Sequence, residues 1–111
     1  MKVAVSSEGK NLTDSVAEVF GRCPFFLIAE VQNNKATVVE VLENTGRDQS
    51  GGVGISVAQV IVGKGVEAVI AGNVGPRALE VFRQFEIGVF SGRGSVGENL
   101  QKFIDGKLKK L

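Results

Sequence analysis

The stretch Gly65-Val66-Glu67-Ala68-Val69-Ile70-Ala71-Gly72-Asn73-Val74-Gly75-Pro76 decides the fold of this chain. Glu67 to Ala71, small and β-branched from Ala68 onward, has the pattern of a buried strand. Glycines bracket it, and Gly75-Pro76 opens a helix, with proline in the first turn, where its missing N–H costs nothing. Ala78, Leu79, Phe82 and Phe85 then recur at spacings of three or four, which gives that helix one apolar face. Ile87 to Phe90 is the next apolar run, so strand, turn, helix and strand make a β-α-β unit.

Working outward, Ile55 to Val62 reads as an almost wholly apolar helix, ended by the C-cap signal Gly63-Lys64-Gly65. Downstream, Ser95 and Glu98 form a capping box, and Val96, Leu100, Phe103, Ile104 and Leu108 line one face of a final helix. Lys107, Lys109 and Lys110 near its end suit the helix dipole. Upstream, residues 2–6 read as a buried strand. Phe25 to Val31 and Ala36 to Leu42 flank the turn residues Gln32-Asn33-Asn34-Lys35, which predicts an antiparallel hairpin. Ser15-Val16-Ala17-Glu18 is a further capping-box pattern and predicts a short helix stopped by Gly21. The order β-β-β-α-β-α-β-α predicts one α/β domain over residues 1–111: a mixed five-stranded sheet with helices on both faces, its β-α-β crossovers right-handed.

At 111 residues, with 43% hydrophobic and 23% charged side chains, the chain is of ordinary globular composition. Net charge is +1, so no global field favours nucleic acid or an anionic membrane, and neither is expected as a partner. Cys23 is the single cysteine, so no intrachain disulfide forms and a reducing cytoplasm is the expected location. The strand-like start Lys2-Val3-Ala4-Val5 is not the pattern of a signal peptide. No apolar run approaches the roughly 20 residues of a membrane span. Histidine is absent, which removes the usual zinc sites, the imidazole base and every Ser-His or Cys-His nucleophile pair.

Alternating strand directions send the loops after the first, third, fourth and fifth strands to one edge of the sheet. Cys23 lies there as well. So do Gly51-Gly52-Val53-Gly54, Gly72-Asn73-Val74-Gly75 and Gly92-Arg93-Gly94, each leading into a helix N-terminus, the place where open α/β sheets bind ligands and backbone amides favour anions. Arg22, Arg47, Arg77 and Arg93 fall on this edge, whereas most lysines, including Lys102 to Lys110, are placed elsewhere as solvated surface. The edge therefore reads either as an anion cradle or as solvated arginines paired with Glu8, Asp14 and Asp48.

Three motifs invite other readings. Gly92-Arg93-Gly94-Ser95-Val96-Gly97 matches G-x-G-x-x-G, but the chain ends before the strand and acidic residue expected about 20 positions on, so a tight turn with a capping box is preferred over a dinucleotide site. No P-loop occurs, and the first strand, Val3-Ala4-Val5-Ser6, lacks the carboxylates a metal-dependent nuclease needs. Cys23, between Arg22 and Pro24, is either a thiol made acidic by a guanidinium, hence a soft-metal ligand, or a small half-buried residue at a strand start.

The segment Val19-Phe20-Gly21-Arg22-Cys23-Pro24-Phe25-Phe26-Leu27-Ile28 resembles the H-F-G-R-x-P-x-F stretch of the dinitrogenase iron–molybdenum cofactor-binding family of nitrogenase accessory factors. Val41-Leu42-Glu43-Asn44-Thr45, the Gly65 to Gly75 segment (G-V-D/E-x-V-I-x-x-x-x-G in the family) and Ile87-Gly88-Val89 resemble it in the same order. The resemblance implies a ribonuclease-H-like α/β fold and a non-catalytic protein that binds or carries iron–molybdenum or other metal–sulfur clusters. Cluster donor or acceptor proteins would be its partners, and a monomer or weak dimer is expected. The family's histidines are replaced here, by Val19 and in Gln49-Ser50-Gly51-Gly52. That leaves Cys23 as the strong metal ligand, with Arg22, Ser50, Gly51, Gly52, Gly54, Asn73, Gly75, Arg77 and Arg93 as the cradle, and binding that is salt-sensitive. The alternative is a metal-free regulatory or interaction module that holds a small phosphorylated ligand or an acidic partner segment at the same edge.

Overall fold

The computed structural model describes residues 1–45 and 53–111. Its elements are β1 (Lys2–Ser7), β2 (Phe25–Gln32), β3 (Lys35–Glu43), α1 (Val53–Val62), β4 (Ala68–Ala71), α2 (Pro76–Gln84), β5 (Gly88–Ser91), α3 (Val96–Ile104) and β6 (Lys109–Lys110). The strands make one sheet in the order β3-β2-β1-β4-β5-β6. β1 is antiparallel to β2 and parallel to β4, β4 is parallel to β5, and β6 returns antiparallel to β5.

Side-chain alternation divides the core into two layers. Ala4, Phe26, Ile28, Val69 and Val89 face α1 and α2, packing on Ala58, Ile61, Ala78 and Phe82. Val3, Val5, Leu27 and Ile70 face the other way, onto Val96 and Leu100 of α3. Each strand residue serves one layer because successive side chains point to opposite faces. Phe20 links the first layer, meeting the rings of Phe26 and Phe82 at 5.2 and 5.4 Å between centroids.

The hairpin turn sits where the asparagines predict, with Asn33 and Asn34 at φ 54 and 62, the left-handed pair that a two-residue hairpin uses. Ile28 pairs with Glu40 but Ala29 with Val38, so Val39 is the extra residue of a β-bulge on edge strand β3.

Three expectations are corrected. The sheet has six strands, not five. The last helix stops at Ile104: Gly106, at φ 70, accommodates a Schellman turn in which its own N–H bonds the Phe103 carbonyl and the Lys107 N–H bonds the Lys102 carbonyl. Leu108 therefore packs against the second layer from beyond the helix, and Lys109–Lys110 become β6. No helix forms at Ser15–Glu18 either. The segment is extended, with bridges from Ser7 to Val16 and from Ser15 to Ser95.

Candidate functional site

The strand directions bring the end of β1, the start of β2 and the ends of β3, β4 and β5 to one rim. The antiparallel return of β6 adds its own start to that rim. Two regions of the rim differ in character.

At the β1–β2–β3 end lies Cys23. It is 2% exposed and belongs to the apolar layer with Phe20 and Phe26. Burial pushes its thiol up to about 11, with backbone hydrogen bonds from Ser7 and Gly21 opposing the shift. Of the two readings of Cys23, the geometry accords with a small enclosed residue at a strand start: at neutral pH the sulfur is a protonated thiol. The surrounding loop is fixed by Asn44, itself buried, whose side-chain amide donates to the carbonyls of Gly21 and Cys23, each at 2.9 Å. Its backbone N–H donates to the Pro24 carbonyl at 2.9 Å. Arg22 points outward beside this loop.

At the β4–β5–β6 end the chain forms a cleft of roughly 650 Å³, lined among others by Glu18, Asn73, Arg93, Lys102, Lys107 and Lys109. Its floor depends on two glycines that permit close approach. A Cβ at Gly72 would lie 2.6 Å from the Glu18 carbonyl oxygen, and one at Gly92 would lie 2.7 Å from Ile70 Cγ2. Gly72 donates to the Ala17 carbonyl at 3.1 Å, and Phe20 to that of Asn73 at 2.9 Å, so residues 17–20 form the wall that carries Glu18.

Arg93 is held through its backbone by Asn99, which is fully buried on α3. The Asn99 side chain accepts from the Arg93 N–H at 3.0 Å and donates to the carbonyls of Arg93 and Ser95, both at 2.7 Å. This closed set fixes the loop while the guanidinium stays exposed. Among the described residues the ion pairs are Met1–Glu30 and Lys64–Glu40, and neither uses Arg77 or Arg93.

The helix N-termini do not all serve as expected. In α3 the first amides are already taken: Val96 donates to the Asp14 carbonyl, Gly97 to that of Leu12, and Glu98 to the Ser95 hydroxyl. The loop 11–14 thus occupies the place an anion would take. In α2, N-cap Gly75 supplies no side-chain cap and Pro76 sits in the first turn. A Cβ at Gly54 would lie 3.6 Å from Ala78 Cβ, so the starts of α1 and α2 are neighbours.

Of the residues expected to form one cradle, Asn73 and Arg93 line the cleft, whereas Arg22, Cys23, Gly54, Gly75 and Arg77 do not. Ser50, Gly51, Gly52 and Arg47 lie outside the described residues. The lysines run against expectation. Lys102, Lys107 and Lys109, read from the sequence as solvated surface, stand in the cleft, because the Schellman turn folds the last residues back along β5. Sequence reading also missed Asn44 and Asn99. The one available signal was an Asn at a core-facing helical position, between Val96 and Leu100.

Among the described residues no three His, Cys, Asp or Glu side chains gather as a metal-ligand group. Among the described residues the rim therefore offers no donor set for ligating a metal directly. Four cations facing one carboxylate, Glu18, can instead hold an anion from outside by charge and hydrogen bonding. No helix among the described residues is long and apolar enough to cross a membrane.

An uncharacterised protein of Methanocaldococcus jannaschii is 38% identical over the whole of this chain and 92% of its own length. The apo form of the orange protein from Desulfovibrio gigas superposes with a TM-score of 0.88 at 29% identity, covering 99% of this chain and 92% of that one. A Thermotoga protein described as a candidate NifB gives 0.81 at 37% identity, with the same coverage of both chains. The family described as dinitrogenase iron–molybdenum cofactor matches residues 1–106, and this chain belongs to that family.

Proposed function

We propose that this protein is a non-catalytic carrier of an anionic metal–sulfur cofactor of the iron–molybdenum type or its precursor, which it holds as cargo in the β4–β5–β6 cleft. The observation that carries the reading is the convergence of Arg93, Lys102, Lys107 and Lys109 on one cleft within a chain of net charge +1. Such a local field selects an anion without attracting polyanions over the whole surface. Because the described residues offer no ligand cluster and Cys23 is enclosed, the cargo would keep its own sulfide ligands. The protein would grip it from outside, through guanidinium, ammonium and amide donors. Reversible outer contacts of this kind suit delivery from a donor protein to an acceptor protein in a reducing cytoplasm.

Two further observations support the reading. The sheet order, with β2 antiparallel to β1, fits the ribonuclease-H-like motif, yet Val3, Ala4, Val5 and Ser6 of β1 supply none of the carboxylates of a nuclease. The orange protein and NifB names attach to relatives that share nearly the whole fold.

Anaerobic incubation with tetrathiomolybdate, a small sulfide-rich molybdenum anion, followed by desalting, tests the reading. Retention of the visible band is expected at about 50 mM salt and release at about 0.5 M, where the screening length falls well below 10 Å. Arg93→Gln should weaken retention several-fold. A wild-type protein that retains no colour at low salt would overturn the proposal.

A further inference from the structure

We infer that the residues following α3 are a working wall of the site, with Lys107 and Lys109 acting as affinity-determining residues that restrict the cleft to a compact polyanion. The inference rests on the carrier reading and adds the class of cargo and the segment that selects it.

The observations are structural. The Schellman turn at Asp105–Lys107 reverses the chain within three residues, through the Lys107-to-Lys102 and Gly106-to-Phe103 backbone bonds. Leu108 then packs into the second core layer, beside α3 and the Phe90–Phe103 ring pair, whose centroids are 5.2 Å apart. β6 pairs Lys109 with Ser91 and Lys110 with Phe90, and Leu111 donates to the Val89 carbonyl at 2.8 Å. In consequence Lys107 and Lys109 line the cleft together with Arg93, whereas Lys110 lies outside it, beside Leu79 and Arg83. The pairing thus sorts neighbouring lysines, directing two into the site and one away. The family match ends at residue 106, so this wall lies outside the matched region.

The cleft's size and charge then name the cargo's class. A volume of roughly 650 Å³ is that of a small-molecule site and does not suit an extended polymer. Four cations against Glu18 leave an excess positive charge that a monoanion would not balance. A compact species carrying two or more negative charges fits, whether its surface atoms are sulfide or oxygen.

The test compares two double variants of equal charge in the full chain. Lys107→Gln/Lys109→Gln removes the wall's cations, and Lys35→Gln/Lys110→Gln removes as many from outside the cleft. Tetrathiomolybdate and pyrophosphate are titrated separately at about 50 mM salt. The first variant should lose affinity by roughly tenfold or more, and the second by less than about twofold. Equal losses, or none in the first variant, would overturn the inference while leaving the carrier reading intact. If the wild type binds pyrophosphate but not tetrathiomolybdate, the carrier reading fails alone and the comparison is decided on pyrophosphate. Binding of neither probe overturns both. Leu108→Ala, which frees the wall without changing charge, should reproduce part of the loss with the circular dichroism spectrum unchanged.

Discussion

The two regions of the rim use the same device for opposite ends. Near β1–β2–β3 a buried asparagine, Asn44, ties down the loop 21–24 through its carbonyls. Near β4–β5–β6 a buried asparagine, Asn99, ties down residues 93–95 in the same manner. One loop turns its sulfur inward among phenylalanines, and the other holds its guanidinium out over a basic cleft. A rigid loop is therefore not itself a sign of a binding site. The side chain presented by that loop decides whether it is core or site.

Breaking each clamp in turn gives the largest expected effects. Asn99→Leu strands the Arg93 N–H and carbonyl in a part-buried setting, while the Ser95 carbonyl keeps the backbone N–H of residue 99. It should cost about 3 kcal/mol in urea denaturation and weaken anion retention several-fold, as Arg93→Gln does. Asn44→Leu should cost a similar amount yet leave retention by the folded protein unchanged. Loss of retention in both variants would erase the distinction between the regions.

A somewhat smaller effect tests the thiol itself. The folded pKa of Cys23 is raised from the ordinary 9.0 to about 11. Below pH 9 the thiol is protonated in both the folded and the unfolded chain and adds no pH dependence. Between pH 9 and 11 the unfolded chain gives up this proton and the folded one keeps it, so stability falls as pH rises. Relative to Cys23→Ala, the wild type should lose roughly 2 to 3 kcal/mol across that window. The thiol should also react with a disulfide reagent at pH 8 only after denaturation, and a fast native reaction would show that the sulfur belongs to the rim after all. The smallest effect is expected from the half-exposed Glu40–Lys64 pair at 2.9 Å. Glu40→Gln should change stability by less than about 1 kcal/mol and retention not at all.

Much of the fold could be read from the residues, because apolar runs bounded by glycine and a helix-opening proline fix both the elements and their directions. The Asn33-Asn34 turn and the common rim follow from such local chemistry. The failures share one cause, the precedence of tertiary pairing over local signal. Ser15 and Glu18 have the spacing of a helix cap, but Ala17 instead donates to the Ser6 carbonyl at 2.9 Å and Val16 to that of Gly94 at 2.8 Å, which draws the segment out flat. Two exposed lysines carry no strand pattern, so β6 and the basic wall are visible only once Gly106 is seen to turn the chain. The lining of the candidate cleft was half readable in the same sense. Arg93 and Asn73 were placed by their turns, while the lysines completing the charge came from a region that reads as helix.

Both borders of the sheet bear on how this chain behaves at high concentration. β6 covers one side of β5, and the opposite border is β3, where Val39 is 54% and Val41 is 41% exposed. A border strand with apolar side chains exposed in this way would ordinarily recruit other chains and seed aggregates. The extra residue at Val39 interrupts the ladder and twists the border out of plane, so an incoming strand finds no continuous row of amides and carbonyls. Deleting that one residue would straighten the border and raise the tendency of the chain to self-associate.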